Sequence, residues 1–350
     1  MLEHGGRLRL AAAQWGIPLA DWVDLSTGIN PQGWPVPPLP ADCWRRLPED
    51  HDGLEQAAAA YYGNANLLPV AGSQAAIQCL PTLLPRAAVA MLAPLYAEHA
   101  HAWERAGHKP RRLANATLTR ALAAATPNIL LCNPNNPTAR RHSRDELLAA
   151  AAQLKKRGGL LIVDEAFADA DHGSAAEQSV TACAGTDEAP NLIVLRSLGK
   201  FFGLAGIRVG FVFARRELLA RLAEQLGPWA VSGPSRAAAQ AALADRDWQV
   251  AMRARLAADS ERLRALLAPL AGDNPPGVNP LFCWLPDAST PSRAQALHDF
   301  LAARGILVRL FADIPGLRFG LPGNEREWQR LAAALADWQE STPPDGERPA

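Results

Sequence analysis

The sequence lacks any apolar run near the roughly 20 residues that a bilayer span requires, so no transmembrane helix is expected. It also lacks net charge, because 35 Lys and Arg offset 35 Asp and Glu. That balance excludes a protein that holds nucleic acid or an anionic membrane mainly by bulk charge. Cysteine is sparse, and the five present (Cys43, Cys79, Cys132, Cys183 and Cys283) are scattered, odd in number and without a Cys-x-x-Cys pair. They exclude a disulfide framework or a zinc site of ordinary spacing and read as buried thiols of a reducing compartment, the cytoplasm. The start, Met1-Leu2-Glu3-His4-Gly5-Gly6, has no basic segment leading into an apolar one, so no secretory leader is expected. Neither common phosphate fingerprint occurs. There is no Gly-x-Gly-x-x-Gly, and Lys200 is followed by Phe201 instead of the Ser or Thr of a Walker A loop.

What is present suits an ordinary globular protein of two domains, with 350 residues, 49% hydrophobic and 20% charged. Short apolar runs at Ala88–Leu92, Ile129–Cys132, Leu160–Val163 and Leu192–Leu195 have strand length and alternate with helical stretches. One helix is sharply signalled over Ser143–Arg157: Ser143 as N-cap, Glu146 completing a capping box, and Gly158-Gly159 as the stop. The rhythm predicts an α/β fold whose large domain has a mainly parallel sheet flanked by helices, joined to a smaller α+β domain. Expected boundaries are an N-terminal arm at 1–45, a large domain at 46–232, a small domain at 233–340 and a frayed tail at 341–350. The stretch Arg236–Leu270 reads as two helices or one long bent helix.

In such sheets ligands bind outside the carboxyl ends of the strands. Three consecutive strands there run into chemically useful residues: Asn133-Pro134-Asn135-Asn136-Pro137-Thr138, Asp164-Glu165-Ala166-Phe167, and Arg196-Ser197-Leu198-Gly199-Lys200. An acid at a buried strand end is costly to desolvate unless something basic meets it. Pyridoxal 5′-phosphate (PLP) would use this set. Its aldehyde needs a lysine amine, its ring nitrogen a carboxylate, and its phosphate a helix N-terminus with hydroxyls and a cation. Two other polar features read as surface: His99-x-His101 as a pair on a helix exterior, and Arg140-Arg141-His142 as a solvated cluster.

With those motifs in order, the chain resembles fold-type I PLP-dependent enzymes of the aspartate aminotransferase superfamily over nearly its full length. The resemblance implies that Lys200 holds the cofactor aldehyde and that Asp164 faces the ring nitrogen. It further implies that Asn136 bonds the ring oxygen, that Tyr96 stacks on the ring, and that Gly72, Ser73, Gln74, Ser197 and Arg208 cradle the phosphate. Arg318 matches the arginine that grips a substrate carboxylate, a task suited to a guanidinium fork. A homodimer is implied by the same likeness. The opening (His4-Gly5-Gly6 and Asp24-Leu25-Ser26-Thr27-Gly28-Ile29-Asn30-Pro31) is similar to that of L-threonine-O-3-phosphate decarboxylases of cobalamin biosynthesis.

That second likeness implies decarboxylation of a small phosphorylated amino acid to (R)-1-amino-2-propanol O-2-phosphate, with His4, Asn30, Asn136, Arg309 and Arg318 as substrate-binding residues and no metal. The alternatives are a histidinol-phosphate-type aminotransferase and a non-catalytic regulator of the same fold. The chain departs from its relatives' patterns at three points. Phe167 stands where many aminotransferases have Tyr, Gly199 where a hydroxyl residue is common, and Leu47 where a Tyr often reaches the neighbouring subunit's phosphate.

Overall fold

The computed structural model describes residues 4–114, 117–124, 126–287, 291–311 and 314–341, so the expected tail lies outside the described residues except for Ser341. The chain forms two compact units, residues 4–32 with 255–341 and residues 33–254. The divisions therefore fall at 32 and 254, where 45 and 232 were expected. The reason is visible in Arg236, whose guanidinium pairs with Asp52 (2.6 and 2.7 Å) and Glu55 (2.8 and 2.9 Å) and ties its helix to residues 33–254.

In chain order, helix α1 (Leu8–Trp15) and strand β1 (Val23–Asp24) open the first unit. The second contains α2 (Asp42–Arg45), α3 (Leu54–Tyr62), β2 (Leu67–Val70), α4 (Ser73–Leu83), β3 (Ala88–Ala93), α5 (Ala97–Arg105), β4 (Lys109–Ala114) and α6 (Leu118–Ala123). It continues with β5 (Asn128–Cys132), α7 (Arg144–Lys155), β6 (Leu161–Asp164), β7 (Leu192–Ser197), β8 (Gly210–Phe213), α8 (Arg216–Leu226) and α9 (Gly233–Ala244). Helix α10 (Arg246–Leu267) leads back to the first unit, which adds β9 (Gly277–Asn279), β10 (Phe282–Pro286), α11 (Pro291–Ala302), β11 (Ile306–Leu307), β12 (Arg309–Phe311), β13 (Gly316–Gly320) and α12 (Glu325–Ser341).

The larger sheet has the order β2-β8-β7-β6-β5-β3-β4. Strand β8 runs antiparallel to both neighbours, and the pairs from β7 to β4 are parallel. Strands β5, β6 and β7 are buried throughout, as their unbroken apolar runs require. One face packs Val89, Met91, Leu130, Ile162, Ile193, Leu195 and Val212 against residues of α4, α5 and α8. Because β4 lies outside β3 while β5 lies on its other side, the order reverses at β3. Such a switch point is where an open α/β sheet offers a crevice, and the loops after β3 and β5 border it.

Three strands of this larger sheet escaped the sequence reading. Strand β2 contains Pro69, β4 is polar (Lys109-Pro110-Arg111-Arg112), and β8 is hidden inside the glycine-rich stretch after Lys200. Both β2 and β4 are edge strands, where proline and charge are admissible. The stretch after Arg236 belongs to two helices, α9 and α10. They part at Asp245, whose carboxylate accepts from the amide of Trp248 at 3.1 Å and from Trp34 Nε1 at 2.9 Å. Helix α7 carries its capping box, with Ser143 Oγ accepting from the Glu146 amide at 3.2 Å and Glu146 accepting from the Ser143 amide at 2.8 Å. It stops where Gly158 turns to φ +70° and where a Cβ on Gly159 would strike the carbonyl of Pro127. All five cysteines are free. Cys132, Cys183 and Cys283 are buried, while Cys43 and Cys79 are partly exposed. No helix among the described residues is long and apolar enough to cross a membrane.

Residues 4–32 with 255–341 carry an antiparallel sheet of order β12-β13-β10-β9 and a parallel pair β1-β11. Arg309 on β12 lies directly opposite Arg318 on β13.

Candidate active site

Strand β6 ends in Asp164, which is 6% exposed. One carboxylate oxygen accepts from the Ala166 amide at 3.0 Å, and the other lies 2.7 Å from His99 Nε2. His99 corrects the surface reading of His99-x-His101. It is buried on the inward face of α5 with Ala100, Ala102 and Trp103, while His101 is exposed. The usable signal was helical spacing, since Tyr96, His99 and Trp103 fall on one face. Cys132, at the end of β5, brings its sulfur within 4.8 Å of the ligand atoms of His99 and Asp164. Burial first, and then the Asp164 charge, push the Cys132 thiol up, so it is a neutral neighbour of the carboxylate.

Strand β7 pairs with β6 so that Asp164 lies beside Leu195. It ends at Ser197, and the turn after it carries Lys200. Ser197 Oγ accepts from the Gly199 amide at 3.3 Å. Lys200 Nζ sits 5.3 Å from the centroid of the Phe167 ring, in the turn that begins at Asp164. Acid and amine therefore share one corner of the sheet.

Helix α4 starts beside them. Its N-cap, Gly72, has φ +73° and supplies no side-chain cap, which leaves the first amides of the helix directed at whatever lies beyond. A Cβ at Gly72 would run into the Arg208 guanidinium. A Cβ at Gly210 would lie 2.6 Å from the Ser73 nitrogen, so both glycines keep the start of α4 close to Arg208 and β8. Arg208 itself is held at φ +53°, an uncommon conformation for a non-glycine residue, with Nη1 donating to the Ala205 carbonyl at 3.0 Å. The first amides of α4 and the Arg208 guanidinium thus lie together, an arrangement suited to an anion. Gln74 donates to Glu98 at 3.0 Å and accepts from the Tyr96 hydroxyl at 3.3 Å. Burial first, with Glu98 and Asp164 adding, pushes the Tyr96 hydroxyl up to about 12, so it stays protonated.

The loop after β5 is tied on several sides. Asn135 donates to the Pro94 carbonyl at 2.7 Å and accepts from the Thr138 hydroxyl at 2.8 Å. Asn133 clasps the backbone of His142 through both side-chain atoms, at 3.1 and 2.8 Å. Arg141 was expected to be solvated with its neighbours; instead it pairs doubly with buried Asp171, at 2.5 and 2.6 Å. Half-buried Asn136 stands in the middle of this fixed loop.

Residues 4–32 with 255–341 carry a polar group of their own. Arg318 is 6% exposed and donates to the Ser26 carbonyl at 2.8 Å. Burial first, and then the facing Arg309 charge, push the Arg318 guanidinium down to about 10, with Asp24 opposing. It is a cation at neutral pH and sits across from another, Arg309. Ser26 also accepts from the Gly6 amide at 2.8 Å, and a Cβ on Gly5 would collide with the Ser26 carbonyl. Those glycines let the segment that bears His4 lie against Ser26. Asn30 is buried and accepts from the Gln32 amide at 2.8 Å.

A family profile described as aminotransferase class I and II matches residues 45–335. The chain belongs to that family. It is 52% identical over 340 residues to a threonine-phosphate decarboxylase of Pseudomonas aeruginosa, covering 97% of this chain and 99% of that protein. A threonine-phosphate decarboxylase of Sinorhizobium sp. is 42% identical over 96% of this chain and 98% of its own length. Among solved structures, histidinol-phosphate aminotransferase from Sinorhizobium meliloti, in complex with pyridoxal-5′-phosphate, is similar in fold with a TM-score of 0.83. It is 24% identical, covering 97% of this chain and 96% of that one.

As a class I and II aminotransferase fold, residues 33–254 have a geometry that fits PLP. The uncapped α4 start and the glycine contacts that admit Arg208 suit a phosphate, the buried Asp164 carboxylate beside His99 suits a ring nitrogen, and Lys200 is an amine in the same corner. This is an α/β PLP-dependent enzyme of fold type I.

Proposed function

We infer that the protein is a PLP-dependent lyase that converts L-threonine O-3-phosphate to (R)-1-amino-2-propanol O-2-phosphate and CO₂, a cytoplasmic step of cobalamin biosynthesis. The observation that carries the reading is the 52% identity, over nearly the whole of both chains, to a protein named threonine-phosphate decarboxylase. Threonine phosphate carries one carboxylate and one phosphate, and the facing cations Arg318 and Arg309 offer partners for both.

Bound PLP would supply an electron-accepting ring that takes up the pair left on Cα when the carboxylate departs. The chain's residues have separate tasks. Lys200 offers its amine to the aldehyde and later carries a proton to Cα. Asp164, held by His99 and the Ala166 amide, keeps a proton on the ring nitrogen. Gly72, Ser73 and Gln74 amides with Ser197 and Arg208 would hold the phosphate, Tyr96 would cover the ring, and Asn136 would hold the ring oxygen. Arg318 takes the substrate carboxylate, while Arg309, His4 and Asn30 take the substrate phosphate. Only a bond held perpendicular to the ring plane can break with overlap, so the partners of the carboxylate decide whether CO₂ or a proton leaves.

Arg318→Lys should preserve the charge and lose the fork. We expect kcat/KM for threonine phosphate to fall about 100-fold, most of it in KM, with PLP retention unchanged. Steady-state kinetics beside cofactor absorbance measures this.

We also propose a homodimer. Val36, Trp44, Leu47 and Trp229 are 46, 68, 62 and 58% exposed within one unit, and a groove lined by Val36, Pro37, Leu39, Trp44 and Ile207 adjoins two of them. A self-associating face would cover them. Paired Trp44→Glu and Leu47→Glu substitutions should lower the molar mass seen by light scattering from two chains to one.

The function is tested by CO₂ release from threonine phosphate without a keto acid. Turnover of histidinol phosphate that depends on 2-oxoglutarate, with no CO₂, would replace this reading by an aminotransferase.

A further inference from the structure

A buried charged cluster that no step above uses lies behind the strand ends. Side chains alternate along a strand, so Glu165 and Arg196 face away from Asp164 and Ser197. Glu165 is fully buried and accepts from Arg196 Nη1 at 2.9 Å, the Val180 amide at 2.9 Å, Ser179 Oγ at 2.7 Å and Thr181 Oγ1 at 2.6 Å. The second terminal nitrogen of Arg196 pairs with the Asp169 carboxylate, and the guanidinium lies 4.7 Å from the centroid of the Tyr62 ring.

Asp169 passes the connection on. Its backbone carbonyl accepts from Arg253 Nε at 2.9 Å, and Arg253 Nη2 donates to the Tyr61 hydroxyl at 2.7 Å. The Arg253 guanidinium lies 4.9 Å from the centroid of the ring of Phe201, the residue directly after Lys200. One cluster therefore touches the chain just after Asp164, just before Ser197 and just after Lys200. Burial opposes the Arg196 charge, and the Asp169 and Glu165 carboxylates more than offset it, so the guanidinium stays a cation. Buried Arg196 is thus held between two buried carboxylates, and half-buried Arg253 joins the cluster through a backbone carbonyl and a hydroxyl.

Buried ion sets are weak sources of stability, since apolar side chains of similar volume often do as well. Their geometry is what apolar packing does not replace: charge-assisted bonds with fixed directions. We propose that Arg196 is a positioning residue which, through Glu165, Asp169 and Arg253, holds Asp164 and Lys200 in fixed relation to each other. The proposal rests on the reading of Asp164 and Lys200 as the pair that holds PLP.

The test uses the PLP-loaded enzyme. Arg196→Met, Glu165→Gln and Asp169→Asn are combined, so that no carboxylate of the cluster is left without its cation. The readouts are thermal unfolding, PLP content, kinetics and the pH midpoint of the visible absorbance of lysine-bound cofactor. We expect unfolding close to wild type and PLP retained. The pH midpoint should move by about one unit, and kcat should fall about tenfold with KM within about twofold. A folded triple variant with the wild-type midpoint and kcat would overturn the proposal. If the triple variant does not fold, Arg196→Lys decides, because an ammonium keeps the charge without the two-armed grip. A shifted midpoint in Arg196→Lys supports the brace, and an unshifted one sinks it. A wild-type protein with no Lys200-dependent band would instead remove the cofactor reading, leaving a distinct signature.

Discussion

Lys200→Ala is expected to lower turnover of threonine phosphate by at least about 10⁴-fold and to erase the visible absorbance of lysine-bound PLP. The expectation is strong because the sequence offers no substitute amine nearby. The other lysines are Lys109, Lys155 and Lys156, all exposed, on edge strand β4 and at the end of α7. Lys200 alone stands beside the Phe167 turn. The substitution removes both the amine proposed to receive the aldehyde and the acid proposed to return a proton to Cα. The phosphate cradle contains no part of Lys200, so the variant should still take up PLP, as a freely exchangeable ligand. Gel filtration followed by an absorbance scan separates loss of the covalent link from loss of binding. Retained turnover at even a hundredth of wild type would be incompatible with the role given to this amine.

Asp164→Asn is expected to cost about 10³-fold in kcat with little change in folding. Asparagine keeps the shape and can still accept from the Ala166 amide, which now bonds at 3.0 Å. It can also meet His99 across the present 2.7 Å. Only the charge is lost. At a site 6% exposed, water cannot replace that charge, so a proton on the ring nitrogen would be held far less tightly. A bound PLP ring would accept electrons less readily without that proton, so the loss would fall on kcat more than on KM. Single-turnover kinetics with thermal unfolding on the same samples checks both halves of the expectation.

Much of this architecture was legible in the sequence where chemistry and chain neighbourhood coincide. Asp164, Lys200 and Asn136 each follow a buried apolar run, so strand and candidate residue announce one another. The capping box of α7 was readable because its two partners lie three residues apart. His99 was not readable in this way, because its meaning comes from Asp164, which reaches it only through the packing of α5 on the sheet. Arg141 looked solvated for the same reason, since Asp171 is supplied by a later turn. Arg196 stood in plain view beside Ser197, yet its partners come from positions 165, 169 and 253, and no local pattern links them. Edge strands β2 and β4 were missed because their prolines and charges imitate loop.

Those edge residues have a consequence for how the protein behaves in concentrated solution. Strand β4 shows its outer side as Lys109, Pro110, Arg111 and Arg112, and β2 closes the opposite rim with Pro69. A proline withholds a donor and neighbouring cations repel a copy of themselves, so neither rim offers a template for sheet-to-sheet growth into fibrils.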